Sequence, residues 1–547
     1  MTSKLEQFKC QLSDYLKKVQ QSTRLSKTMI FYSYGGRTQR CQVWNSSFSE
    51  LAKIQQELSD FLDEQYDENH ELPEFLKIDI AYRIEKQAWL DVVYQVSNQQ
   101  HNNHYRKGIS FTENFNIAFL EQEIYGKAII RGLRYDQPNF FDEQNLNSAI
   151  QKKYPDIQET IILDQLQYVW TFETYGAIYE DKHFIELQND EFNSGVRILE
   201  KEKKQHLKEI IEKNADFLYR QIQENGRFNY GYFPAYDREL KGYNTIRHCT
   251  STYALIESCE VKENKQYWPK IDHAIQYALD HFYRERTKNT AFMIDGDEYQ
   301  EIKLGANAAA ILMLTKYQEI TQDCCYLKYA EAIANGILEM VDIFGETTHV
   351  LHYPSYELKE QFRIVYYDGE AALALLRLYQ INHDEKLLTT VKLMFEKFIS
   401  KKYERFHDHW LSYCTNELTK ICPEEKYFIF GLNNYLRHLN FIKNRKTAYA
   451  TFLEMLMSAY KMVIRLKSQG YETLYGYAAF DTLKEVIELR SEFQRTGFFY
   501  PEVAMYMARP EKILNAFYVR HDRFRTRIDD QEHNLSGYIA YVNHFET

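Results

Sequence analysis

The stretch IKLGANAAAILMLTKY, residues 302–317, carries one charged group before its first turn and one near its end, with small and apolar residues between them. A helix that is apolar nearly all round is a buried one, and its alanines and glycine let neighbours approach on several sides. Outward from it, segments of the same kind recur at TIRHCTSTYALIES (245–258), YYDGEAALALLRLY (366–379), DHWLSYCTNELTKI continuing toward FGLNNYLRHL (408–439), LYGYAAFDTLKEVI (474–487) and EHNLSGYIAYVNHF (532–545). Between them lie amphipathic segments with charge on one face, at about 200–224, 266–285, 324–342, 384–402, 445–467 and 502–519. Strict alternation of buried and amphipathic helices is a repeat signature. Six such pairs predict a closed (α/α)6 toroid over residues 196–547, with the charged helices outside and the Ala/Gly-rich helices inside. The inner helices are expected to begin near 245, 303, 367, 410, 474 and 533.

Residues 1–195 read differently. TMIFYSY (28–34), RCQVW (40–44), FLKIDIAYRI (75–84) and FIELQ near 184 alternate as strands do, and helices are expected over 48–66 and 143–153. This is a mixed α/β domain without a phosphate loop, a GxGxxG or a nucleophile elbow. The fold class expected for the whole chain is therefore a mixed α/β N-terminal domain followed by an all-α toroid.

Composition narrows the function. The chain has 547 residues, 44% of them hydrophobic, a net charge of −11, and only 9 prolines and 20 glycines, which favours helices. Lys and Arg form no basic stripe, so no nucleic-acid partner is expected. No run of 18 apolar residues exists and the first residues lack an apolar signal core, so the expectation is no membrane span and a cytoplasmic location. The eight cysteines form no CxxC pair or disulfide framework.

Polar residues of the inner segments gather at their N-terminal ends: Asn244, Arg247 and His248; Lys303 and Asn307; Tyr367, Asp368 and Glu370; Asp408 and His409; Tyr475; Arg527, Asp529, Asp530 and His533. In a toroid all inner N-termini converge on one mouth. Their free N–H groups and dipole ends favour anionic or hydroxyl-rich ligands there. Asn244 and Asp408 also suit helix caps.

The segments YNTIRHCTSTYAL, IKLGANAAAIL, YYDGEAALALLRLY and RIDDQEHNLSGY resemble the six-hairpin glycosidase-like superfamily across residues 196–547. More narrowly they resemble a bacterial group of toroids whose patterns run RHAGT, YYPGEALLAL and RIDxxQHxxSGY. The resemblance supports Arg247, His248, Glu370, Asp529 and His533. It departs at Cys249-Thr250-Ser251, where Ala-Gly is usual, and at Asp368, where Pro is usual. It implies a glycan substrate or ligand.

Three readings follow. Glycoside hydrolysis needs two carboxyl groups across a sugar, with Glu370 as acid and Asp529 or Asp530 as base in an inverting arrangement. A uronate lyase or sugar epimerase would instead move a proton with His248, His409 or Tyr367, His533 also fitting, while Arg247 or Lys303 neutralises the anion. The remaining site residues would hold substrate. A non-catalytic glycan-binding protein is the third, with the N-terminal domain binding a protein partner. No cofactor is expected. The zinc signatures that would make ligands of His248, Cys249 and Cys414 are lacking, so no metal is expected either.

Overall fold

In the computed structural model the described residues are 28–48, 74–99, 104–132, 138–180, 183–190, 193–296, 300–447 and 449–546, with scattered positions within 10–17 and 53–64. The helix expected over 48–66 lies largely outside them. The chain forms two compact units. One comprises residues 1–202, 232–239 and 496–526; the other comprises 203–231, 240–495 and 527–547. Three stretches that the sequence reading counts with the toroid, 196–202, 232–239 and 496–526, thus cluster with the first unit.

The first unit is built on an antiparallel sheet of seven strands, β1 (Thr28–Gly35), β2 (Gln42–Phe48), β3 (Phe75–Ala88), β4 (Gly108–Ser110), β5 (Ala118–Phe119), β6 (Tyr168–Glu180) and β7 (His183–Glu186). The order is β2-β1-β3-β6-β4-β5, with β7 also on β6. A helix at Glu143–Lys153 is capped by Asp142. Trp89, Val92, Ile109, Phe119, Leu146 and Val169 share one core.

The second unit has twelve principal helices: α1 (Lys203–Gln221), α2 (Thr245–Ser258), α3 (Trp268–Phe282), α4 (Leu304–Thr321), α5 (Leu327–Glu339), α6 (Tyr366–Asn382), α7 (Glu385–Ser400), α8 (His409–Ile421), α9 (Glu425–Leu436), α10 (Thr451–Ser468), α11 (Phe480–Phe493) and α12 (Ile528–His544). The even-numbered helices pack in sequence, α2 on α4, α6, α8, α10 and α12, and α12 returns to α2, closing a ring. The odd-numbered helices pack around it: α3 on α2, α5 on α4, α7 on α6, α9 on α8 and α10, α11 on α10, and α1 on α12 and α2. This is an (α/α)6 toroid. Close packing of the ring uses glycines. A Cβ on Gly369 of α6 would meet Trp410 and the Leu411 backbone of α8 at 2.7–2.8 Å.

The first four inner helices begin close to where the sequence places them; the fifth does not. The expected outer segment 445–467 is the inner helix α10, whose Met455, Met457, Ser458 and Ala459 are buried. The expected inner segment 474–487 is mostly the outer helix α11. The cause is α9. Its charges are confined to its first turn, and Gly431 lets it pack so closely that a Cβ there would collide with Met462 and Thr415. It therefore reads as a continuation of α8, and the alternation shifts by one hairpin. The sixth outer segment, 502–519, is short turns rather than a helix.

Candidate active site

The inner helices present their first turns at one mouth. Glu370 lies in the second turn of α6, His409 opens α8, Glu454 is in the first turn of α10, and Glu532 and His533 follow the first turn of α12. His533 Nδ1 is 2.9 Å from Glu454 Oε2 and 3.3 Å from Glu532 Oε1. The His409 and His533 rings meet edge to face, with centroids 5.3 Å apart. Tyr413 donates to Glu454 Oε1 at 3.1 Å, which fixes the carboxylate.

His409 follows the cap of α8. Asp408 Oδ2 accepts the Leu411 N–H at 2.9 Å, and Asp408 Oδ1 lies 3.1 Å from His409 Nδ1 without a hydrogen bond between them. His409 Nε2 and Glu370 Oε2 are buried and have no hydrogen-bond partner among the described residues. Buried polar atoms are nearly always paired, so two unpaired ones at one mouth mark a place for a ligand or water.

The charges around this centre are set by burial and by each other. Burial, with Asp408 and Glu532 adding, holds the Glu370 carboxyl far above the usual carboxylate range, His533 opposing. Burial also pushes Glu532 up to about 8, against the pull of His533. Burial disfavours the His533 cation, yet Glu532 and Glu454 outweigh it and lift the imidazole to about 10. Burial and neighbouring charges thus favour the imidazolium form of His533 and the protonated form of Glu370, and His409 presents a bare nitrogen beside them. The ligand atoms of His409, Glu454 and His533 lie within 4.8 Å of one another, a set that could hold a metal ion.

A ring of ion pairs borders the centre. Asp529 is bound by Arg247 Nε at 2.8 Å and by Arg527, whose second nitrogen is at 2.6 Å. Burial would raise the Asp529 pKa, but Arg527 and Arg247 hold it well below its ordinary value. Arg247 also donates to the Tyr230 hydroxyl at 2.7 Å. Lys303 pairs with Asp295 and Glu301. Tyr367 packs with Glu370 around Gly305. Asp530 is buried, and its carbonyl accepts from the Asn534 side chain.

Several residues expected at the mouth do other work. His248 is fully buried, with Nε2 2.8 Å from the Ala274 carbonyl on α3 and Nδ1 2.8 Å from the Tyr243 hydroxyl. Burial lowers its pKa to about 4, so it is a neutral packing group that joins α2 to α3. Asp368 accepts from Thr347 and faces His349 Nε2 at 3.1 Å, away from Glu370. Asn307 bonds the backbone of Met293 and Lys303. Asn244 caps α2. Tyr475 lies beyond the C-terminal end of α10, because the fifth inner helix is not the one expected; its ring packs on Phe480.

Sequence reasoning missed Glu454 and Glu532. Glu454 stood in a segment read as outer. Glu532 stands beside His533 in RIDDQEHNLSGY, where the aspartate pair drew the assignment.

The second unit is thus a closed ring of six helical hairpins with ionisable groups near the N-terminal turns of its inner helices. The chain is similar to the solved structure of cellobiose 2-epimerase from Bacillus thermoamylovorans B4167, at 13% identity over 62% of this chain and 99% of that one, with a TM-score of 0.47. It is also similar to a D-mannose isomerase (13% identity, 63% and 99% covered, TM-score 0.47) and to the GH76A α-1,6-mannanase from Salegentibacter sp. HEL1_6 (12%, 61% and 98%, TM-score 0.41). No family model and no curated protein matches the chain. No helix among the described residues is long and apolar enough to cross a membrane.

Proposed function

We propose that the toroid is a carbohydrate-active enzyme that moves a proton on a sugar, as an epimerase or isomerase does, with His409 and His533 as the proton-transfer pair. The observation that carries this reading is the edge-to-face meeting of the two imidazoles at the mouth, one with a bare buried nitrogen and the other bound to Glu454. A neutral imidazole takes the proton from a carbon beside the sugar's carbonyl. A cationic one supplies a proton to the enediol-like intermediate, so substrate and product are isomers and no co-reactant is consumed.

The hydrolase reading keeps one point in its favour, the buried Glu370, whose raised pKa suits a general acid. Its intended base is weak, because Asp529 is neutralised by two arginines. The two readings separate in heavy water. Wild-type protein incubated with glucose and mannose should place solvent deuterium on the carbon next to the carbonyl. His409→Ala and His533→Ala should each slow this by about 10²–10⁴-fold. No deuterium uptake, together with new reducing ends released from oligosaccharides in a Glu370-dependent way, would replace the epimerase reading with the hydrolase one.

A further inference from the structure

A cleft of about 200 Å³ opens between the N-terminal turns of α8 and α10, and Asp408 and His409 line it. Its walls are aromatic. Tyr366, Phe406, Phe441 and Tyr449 are 39–46% exposed around this one opening. Single exposed aromatics are ordinary on a protein surface; four grouped at one concavity mark a binding surface.

The rings are also held in place. Tyr449 stacks on the buried Phe452 at 5.0 Å and 24°, and Phe441 stacks on His438 at 4.5 Å and 28°. His438 in turn lies flat on His407 at 4.6 Å. The Arg445 guanidinium sits over both Phe441 and Tyr449, 5.4 and 5.6 Å from their centroids, and donates to Thr447 Oγ1 at 2.7 Å. A surface fixed before binding loses little entropy when a ligand arrives.

We propose that this cleft is a subsite for the second ring of an oligosaccharide whose first ring lies at His409 and His533, so that the substrate is a disaccharide or longer. The inference rests on the reading of the mouth as carbohydrate-active. A pyranose presents an apolar C–H face and a rim of hydroxyls. The exposed parts of the four rings take the former, and the Arg445 guanidinium beside them takes the latter. The volume falls below the ~300–1,000 Å³ of a pocket that holds a whole drug-sized ligand. That suits one part of a longer ligand, and His409 lines the cleft while its ring meets that of His533.

The test uses the full chain and calorimetric titration with glucose, mannose and their β-1,4- and α-1,6-linked disaccharides. At least one disaccharide is expected to bind about tenfold more tightly than its monosaccharide, the scale of one well-placed ring contact. Phe441→Ala and Tyr449→Ala should shrink that ratio to about one, with far-UV circular dichroism confirming the fold. Equal affinities, a ratio that survives both variants, or no binding of any sugar overturns the proposal. Deuterium uptake into a monosaccharide that His409→Ala abolishes would uphold the acid–base reading even where the ratio is absent. A ratio erased by Phe441→Ala in a protein that exchanges no deuterium would uphold the cleft and overturn that reading.

Discussion

Replacing Glu370 by Gln tests the electrostatics of the mouth without reference to any substrate. The side chain is 5% exposed, and its Oε2 has no hydrogen-bond partner among the described residues. Burial, with Asp408 and Glu532 adding, raises its pKa well above the ordinary value. A raised folded-state pKa means that the folded chain keeps a proton which the unfolded chain, titrating near about 4.3, has already released. Between those two pKa values the folded state binds more protons, so its stability falls as pH rises. For one proton the slope reaches about 1.4 kcal/mol per pH unit. Glutamine keeps the shape and cannot ionise, so the variant escapes this loss. Urea unfolding of both proteins at about pH 5, 6 and 7 should show the variant gaining on wild type by up to that slope per unit. Comparing the two cancels titrating groups remote from Glu370 to first order. A difference that stays flat across this range, or that favours wild type increasingly as pH rises, would show Glu370 ionised in the fold and refute the argument. If Glu370 also donates a proton in the reaction, turnover in the variant should fall about 10²–10⁴-fold.

Two further substitutions probe the frame of the site. A Cβ at Gly305 would lie 2.5–2.7 Å from the Tyr367 ring and would press on Glu370; Gly305→Ala should cost about 1–3 kcal/mol in unfolding free energy, and a change below about 0.5 would mean that α4 and α6 are not in such close contact. His248→Ala removes a fully buried ring and its hydrogen bonds to the Ala274 carbonyl and the Tyr243 hydroxyl, so thermal melting should report a loss of about 3–5 kcal/mol with activity per folded molecule retained; an unchanged melting point with lost activity would make His248 a reacting group.

The ring was legible where helices are buried on all sides. Along α4 every residue from Leu304 to Tyr317 is buried, and an unbroken Ala-rich run is how such burial is written in sequence. It became illegible at α9 and α10, where the cue fails in both directions. α9 is an outer helix with few charges, and α10 is an inner helix with Glu454, Lys461 and Arg465. Glu454 is tolerated inside because Tyr413 and His533 satisfy it, and those partners lie 41 and 79 residues away in sequence, beyond any local pattern. The same limit explains His248. An imidazole one turn into an inner helix points either at the axis or at the outer layer, and the difference is set by Tyr243 and the Ala274 carbonyl rather than by its own neighbours. Glu370 and His533 were legible because each stands among small or polar residues within a recognisable segment.

The seam between α12 and α2 has a consequence for the birth of the protein. The ring closes through a contact between helices some 280 residues apart, as in the Arg247–Asp529 pair. Contacts of such long range form late, because the intervening chain must first be ordered. On the ribosome, α2 through α10 emerge and stack as an open arc while the wall that carries Glu532 and His533 is still missing. During that interval the flank of α2 that will receive α12 stays open to water, with Arg247 and Glu257 still without their partners Asp529 and Ser536. The site then assembles in a single late event, because its two imidazoles meet only when the arc shuts.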